Sequence, residues 1–342
     1  MWKSLKDRAE GVKEMKRMKT TEAVGQVLCH DITQIIPGVT KDAVFRKGHI
    51  IREEDIPVLL SVGKDSVYIW ENDETMMHEN DAAEVLYRMT ANEHMHPSDV
   101  KEGKIEAIAD TEGLLKVDRE KLKKVNAFGE MMIATRHGNT VVKKGDKLAG
   151  TRIIPLVIKK DKMQEAEKIC DGTPILKILP FTVKKAAIIT TGNEVYHGRI
   201  KDAFTPVIEQ KIAEFGAEMM FHEIFDDNDR KITDGCLRAI EAGADIVFCT
   251  GGMSVDPDDK TPLAIKNTGA EMISYGSPVL PGAMFLLSYY RKGDKVIPIC
   301  GLPGCAMYNR RTIFDLVLPR LMAADPVTAD ELTSLGEGGL CL

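Results

Sequence analysis

An α/β domain on a mostly parallel sheet, preceded by an α+β region with several short strands, is the fold class this sequence predicts. Three observations predict it. Beyond Pro180, apolar runs alternate with helical patterns of about 10 to 12 residues, as βαβ units require. The runs at 186–190 and 245–249 are almost wholly apolar, the pattern of strands covered on both faces. Before Pro180, extended stretches are punctuated by turn signals such as His137-Gly138-Asn139 and Lys144-Gly145-Asp146.

The 342 residues exceed one typical domain. We expect a basic extension over 1–20, an α+β region over 21–180 (divisible into two subdomains), the α/β domain over 181–325, and a tail over 326–342. The basic segment reads as a solvated or dimer-contacting helix. Apolar residues make up 44% and charged residues 29%, ordinary for a globular chain. A net charge of −6 argues against nucleic acid as the main partner, because phosphates need a basic face. No apolar run approaches the ~20 residues of a membrane span, and residues 1–20 lack the apolar core of a secretory signal. Cys29, Cys170, Cys236, Cys249, Cys300, Cys305 and Cys341 form no C-x-x-C pair. That pattern points to a reducing compartment, and the expected location is cytoplasmic.

In order, residues 23–36 read as strand-like, and Gly48 turns the chain between extended pieces. Residues 56–62 suit a short helix ending at Gly63, before a strand over 66–70. Ala82, Val85, Leu86 and Met89 recur at helical spacing. Further helices are predicted near 118–127 and 161–170, with extended chain over 130–158 and a break over the next 15 or so residues. In the second half, strands are expected at 186–190, 218–224, 245–249 and 271–275. Thr205-Pro206 opens a helix closed by Gly216, and Ile232, Cys236 and Ile240 stripe a helix that stops at Gly243. Residues 284–290 and 295–300 read as a hairpin, supplying an antiparallel edge strand. The last helix carries Ile313, Leu316 and Val317.

Four loops leave the carboxyl ends of these strands, where α/β sheets hold ligands. They span 190–194, 225–229, 250–259 and 301–304. Glycine beside Thr or Ser suits an anion held by backbone N–H groups. All but the last loop also carry carboxylates, which repel a free anion. The ligand is therefore an anion bridged by a divalent cation, or a heterocycle whose NH groups the carboxylates grip. Gly251 and Gly252 let bare backbone approach it, and Thr261-Pro262 starts a helix beside it. His94 and His96 are either metal ligands or surface residues. Cys305 sits either where a helix start lowers a thiol's pKa or as a small packing residue.

Five motifs now carry a resemblance: Thr190-Thr-Gly-Asn-Glu-Val195, Gly198-Arg-Ile-Lys-Asp202, Thr250-Gly-Gly-Met-Ser-Val255 with Asp259, Pro281-Gly282, and Gly301-Leu-Pro-Gly304. In order and rough spacing, over residues 183–323, they resemble the molybdopterin-binding domain shared by molybdopterin molybdotransferases and the gephyrin E domain. The resemblance implies a three-layer α/β/α domain that binds molybdopterin, often adenylylated, and helps insert molybdate with Mg²⁺ in molybdenum cofactor biosynthesis. It implies a homodimer, with a molybdoenzyme or another assembly protein as partner. Carried over by position, Asp202 and Asp259 are the catalytic and metal-handling acids. Thr191, Gly192, Glu194, Asp227, Gly251, Gly252, Met253, Ser254, Thr261, Pro281, Gly282, Gly301, Pro303 and Gly304 are the implied cofactor-binding residues.

The chain departs from the family at several points. The usual Lys-Pro-Gly-Lys-Pro is here Val279-Leu-Pro-Gly-Ala283, so both lysines that neutralise molybdate or phosphate are absent. The usual Gly-Leu-Pro-Gly-Asn-Pro is Gly301-Leu-Pro-Gly-Cys-Ala306, and no Ser-Ala-Met-Asp-Gly-Tyr-Ala signature is found. Arg310 and Arg311 either restore positive charge or face solvent. Two other readings stay open: a non-catalytic molybdopterin carrier or sensor, and a nucleotide pyrophosphatase. The latter rests on Asp258-Asp-Lys-Thr261, which is similar to competence-damage-inducible proteins.

Overall fold

The computed structural model describes residues 16–36, 40–69, 75–254, 256 and 259–341. Most of the basic extension expected at the N-terminus lies outside them, as do Trp70, Val255 and Asp258. The described residues of Met1–Ile108, with Asp118–Thr135 and Lys147–Ile175, form one compact unit. Ala109–Val117, Arg136–Asp146 and Leu176–Leu342 form the other.

The first unit is α+β. A four-stranded sheet runs Met95–Pro97, Lys104–Ala109, Lys147–Ile153, Met131–Thr135, and the last three strands pair antiparallel. Helices Glu79–Thr90, Arg119–Asn126 and Lys160–Cys170 accompany it. Asp118 accepts the Lys121 N–H at 2.9 Å, which fixes where the second helix begins. A separate cluster gathers Leu28, Ile32, Ile51, Leu59 and Val67. The strand expected over 23–36 is confined to Ile32–Ile36, and before it Val27 and Leu28 make only isolated bridges, to Ile50 and Ile69.

The second unit holds one six-stranded sheet. Its strands are β1 (Lys185–Thr191), β2 (Glu218–Phe225), β3 (Ile246–Thr250), β4 (Glu271–Tyr275), β5 (Leu286–Lys292) and β6 (Lys295–Leu302). The spatial order is β2-β1-β3-β6-β5-β4. The first four of these are parallel, and β5 runs against both β6 and β4. The hairpin is therefore as expected, but its antiparallel strand lies inside the sheet and β4 forms the edge.

Helices cover both faces: α1 (Asn193–Tyr196), α2 (Phe204–Ala213), α3 (Asp229–Glu241), α4 (Thr261–Asn267), α5 (Ile313–Met322) and α6 (Ala329–Ser334). Strand alternation sorts the core. Ile188 and Phe248 pack with Ile208 and Ile212 of α2 and with Ile313, Phe314 and Val317 of α5. Their neighbours Ile189, Val247 and Cys249 point the other way, onto Ile232, Cys236 and Ile240 of α3 and Ile265 of α4. The result is a three-layer α/β/α domain. Val327 and Leu332, from the expected tail, belong to the first of these clusters. The expected break after Cys170 contains a strand, Leu176–Leu179, which pairs with Gly113–Val117.

Phe248 and Phe314 meet edge to face, with centroids 5.4 Å apart at 78°. Both are fully buried, so Phe248→Ala leaves a cavity between β3 and α5. We expect a loss of about 3–5 kcal/mol in denaturant unfolding; a loss under about 1 kcal/mol would mean the core collapses into the gap.

Candidate functional site

β1 and β3 lie side by side with Thr190 opposite Thr250, so their carboxyl-end loops leave the sheet together. Gly251 follows β3 at φ +82, and a Cβ there would lie 2.2 Å from the Thr191 carbonyl oxygen. Only glycine fits that approach. At Gly252, φ +55, a Cβ would meet the Thr261 hydroxyl at 2.8 Å. The Thr261 N–H donates to the Gly252 carbonyl at 3.2 Å. Thr191 donates its hydroxyl proton to the Thr250 carbonyl at 3.1 Å. That commitment makes Thr261 the donor in their shared 3.0 Å contact. Strand ends, glycine turn and α4 N-terminus are thus closed into one buried hydroxyl chain. The Thr250 hydroxyl is buried beside it without a hydrogen-bond partner.

The loop after β1 is tied down equally closely. Gly192, at φ +134, donates its N–H to the Phe225 carbonyl at 3.2 Å. Asn193 N–H donates to Asp227 at 3.1 Å, which joins the β1 and β2 loops. The Glu194 carbonyl accepts the Arg199 N–H at 2.8 Å, folding 194–199 into a cap on α1.

Asp202 has no unused lone pair. One carboxylate oxygen accepts the N–H groups of Phe204 at 2.9 Å and Thr205 at 3.1 Å. The other accepts the hydroxyls of Thr205 at 2.6 Å and Thr190 at 2.9 Å. Four donors match the four acceptor sites of a carboxylate. This cap also explains why α2 begins at Phe204, before the expected Thr205-Pro206. Burial opposes ionisation of Asp202, but the Thr205 hydroxyl and N–H, the Thr190 hydroxyl and the Phe204 N–H outweigh it. They hold its pKa below the ordinary carboxylate value.

His222 completes the cluster, with Nε2 3.1 Å from the Thr190 hydroxyl and 3.2 Å from that of Thr205. Both hydroxyl protons already go to Asp202, so Nε2–H is the donor. Sequence reading passes over His222, which sits unmarked in a strand; only its register beside β1 brings it here.

These loops enclose a cleft of about 770 Å³. Of the residues singled out from the sequence, Thr191, Gly192, Glu194, Asp202, Asp227, Gly251, Gly252 and Asp259 line it. The others do not. Thr261 is fully buried behind the loop, and Ser254 is exposed outside the lining. Gly301 belongs to β6, where Met253 packs 2.5 Å from its would-be Cβ position. Pro303 is buried, and Gly304 opens a 3-10 turn to Met307. Pro281 and Gly282 pack on α5: the Pro281 carbonyl accepts the Ile313 N–H at 3.4 Å, and a Cβ on Gly282 would strike Ile313. At the positions of the missing lysines, on either side of Pro281-Gly282, Leu280 is 57% exposed and Ala283 is exposed.

Lining residues to which sequence alone assigns no binding role include Arg199, Lys201, Asp256 and Tyr308. Five carboxylates therefore face the cleft with two cations. Yet neither Arg199 nor Lys201 makes an ion pair with any described residue. Asp259 stands near Tyr275, whose phenol is pushed up first by burial and then by that charge. Tyr275 donates to the Met253 carbonyl at 3.0 Å.

Among the described residues no three His, Cys, Asp or Glu side chains converge to hold a metal. His94 lies 3.6 Å from Glu93. Cys305 sits in the 3-10 turn, well before α5, and burial pushes its thiol up, against the lowered pKa considered for it. A smaller hollow of about 390 Å³ opens at the opposite, amino ends of the strands. Its Lys295 and Asp245 are paired at 2.6 Å, and Asp325 is paired with Lys116 and Arg320.

Two outcomes follow from this geometry. Gly251→Ala should lower the midpoint of urea unfolding and cost at least about 1–3 kcal/mol, since it meets backbone and not a mobile side chain. Asp202→Asn should cost about 1 kcal/mol at neutral pH. Because the folded pKa of Asp202 is depressed, its stabilisation is present above the unfolded value near 3.9. It is lost as pH falls through the folded one. Thermal unfolding between pH 2 and 6 should therefore show a shallower acid slope for Asp202→Asn; an unchanged slope would remove Asp202 from that linkage.

Residues 187–323 match the family described as "Probable molybdopterin binding domain", and residues 17–71 match a domain of unknown function. A putative competence-damage inducible protein of Bacillus cereus is 30% identical over 129 residues, 38% of this chain and 30% of its own length. One of Bacillus subtilis is 32% identical over 85 residues, 25% of this chain and 20% of its own. The chain thus spans under a third of the curated relatives it matches. The tungsten cofactor synthesizing protein MoaB from Pyrococcus furiosus aligns at 18% identity and TM-score 0.35, covering 42% of this chain and 98% of that one. A molybdenum cofactor biosynthesis protein from Pyrococcus furiosus aligns at 12% identity and TM-score 0.26, covering 93% of this chain and 66% of that one. No described helix is long and apolar enough to cross a membrane. By sequence, residues 187–323 in the α/β half of this chain are thus similar to that molybdopterin-binding domain family.

Proposed function

We propose that the α/β unit binds molybdopterin by its phosphate and that the chain takes part in molybdenum cofactor assembly. One observation carries this reading: two cations without ion pairs among the described residues, Arg199 and Lys201, line the same cleft as Gly192, Gly251 and Gly252. Unpaired cations beside Cβ-free backbone form the receptor a phosphate needs. In this reading Arg199 and Lys201 supply the charge that the segment 279–283 lacks. Leu280 and Ala283, which flank Pro281-Gly282, are exposed and uncharged.

Asp202 then positions the loop 198–202 and holds no metal, since four donors fill its acceptor sites. Asp259 accepts no hydrogen bond from a described residue and is the acid we assign to hold Mg²⁺ arriving with the phosphate. Magnesium there would neutralise charge between phosphate and carboxylate, and molybdate would enter as substrate. Homodimerisation belongs to the same proposal.

Binding of molybdopterin to the full chain, followed by pterin fluorescence, tests the first claim. Arg199→Gln with Lys201→Gln should weaken it about tenfold and flatten its salt dependence. Unchanged affinity would exclude the cation role. Reconstitution of an apo-molybdoenzyme from adenylylated molybdopterin and molybdate tests insertion: Asp259→Asn should abolish it while pterin binding persists. Binding without reconstitution by the unaltered chain would leave a carrier or sensor.

The likeness to competence-damage inducible proteins favours a second reading, cleavage of a nucleotide pyrophosphate at the same carboxylates. Release of AMP from ADP-ribose, lost in Asp259→Asn, would select it.

A further inference from the structure

The cleft inverts the usual arrangement of a ligand site, in which an apolar interior carries a polar rim. Its floor is polar, made of threonines, glycines and carboxylates, while two strongly exposed apolar side chains stand among its lining residues. Tyr308 is 81% exposed, the most of any large apolar or aromatic side chain among the described residues. Ile200 is 56% exposed. Neither is loosely hung. The turn bearing Tyr308 is pinned by three hydrogen bonds to the Cys305 carbonyl, from the N–H of Tyr308 (3.1 Å), the N–H of Asn309 (3.0 Å) and the Asn309 amide (3.1 Å). Ile200 N–H donates to the Glu194 carbonyl at 3.3 Å. The Tyr308 hydroxyl has no hydrogen-bond partner among the described residues.

We propose that Tyr308 and Ile200 hold the two faces of a flat heterocycle at the mouth of the cleft, with its polar edge turned to the floor. The proposal rests on the binding function above and assigns its ring-recognition residues. A planar heterocycle has apolar faces and NH-bearing edges. The faces suit an aromatic ring and a branched aliphatic chain, and the edges suit the unpaired carboxylates Glu194 and Asp256. Stacking on one aromatic side chain is sequence-tolerant and lowers a ligand's dissociation constant by about one to two decades. Holding that ring on a braced turn removes the ordering cost that a mobile side chain carries.

The test is equilibrium binding of three probes to the full chain: 6-hydroxymethylpterin, AMP and inorganic phosphate. Tyr308→Ala should weaken the ring-bearing probe that the unaltered chain prefers about tenfold, and Ile200→Ala should weaken it less. Tyr308→Phe should bind as the unaltered chain does, and phosphate affinity should be the same in all. Pterin fluorescence should be quenched on binding to the unaltered chain and to Tyr308→Phe, and not to Tyr308→Ala. Equal ring affinity for Tyr308→Ala and the unaltered chain overturns the clamp. So does a parallel loss of phosphate affinity. Preference for AMP over the pterin, with the Tyr308 dependence intact, keeps the clamp and overturns the molybdopterin reading. Binding of neither ring by the unaltered chain overturns both.

Discussion

The approach of Gly251 to the Thr191 carbonyl governs how the site is assembled. With no Cβ in the way, the chain leaving β3 turns across the end of β1 instead of continuing upward. The turn carries Thr261 back to Gly252, and its hydroxyl joins those of Thr191 and the Thr250 carbonyl. Each group in that chain has its proton directed, so the loop is held by buried hydrogen bonds that water cannot replace. The cleft floor is therefore built on the most buried part of the sheet. A ligand resting on it meets backbone whose position does not need to be organised on binding.

Carboxylates near this floor divide into two kinds. Asp202 is spent on structure, capping α2 and gathering Thr190, Thr205 and His222. Asp227 serves the neighbouring loop by accepting Asn193 N–H. Glu194, Asp256 and Asp259 face the cleft without such duties. Acids that look equivalent along the chain thus differ in what they have left to offer, because an ionised carboxylate has about four acceptor sites and no more.

The segment 279–283 carries no cation. Val279 is buried and Gly282 lies against Ile313 at the start of α5, while Leu280 and Ala283, on either side of Pro281-Gly282, are exposed. Arg199 and Lys201, on the cap over α1, are the cations that remain unpaired at the cleft.

Local pattern alone determined the elements of this protein. Beyond Pro180, apolar runs with period near two or near four, glycine stops and cap residues gave strands and helices within about two residues, since those signals depend on neighbours in sequence. Before it, the strand read over 23–36 is only Ile32–Ile36, and the expected break holds the strand Leu176–Leu179. The glycines of the two loops were equally legible, as only glycine tolerates the backbone there. Tertiary structure decided the rest. The inner place of β5 and the edge place of β4 depend on strand order, which no local pattern encodes. So does the meeting of His222 with Thr190, which needs β2 registered beside β1. Gly301 reads as a loop glycine and is a strand residue under Met253; Tyr308, unmarked in the sequence, stands exposed at the cleft. Spacing along a chain tells which residues belong to one element, while burial and free valence are properties of the neighbours that folding brings.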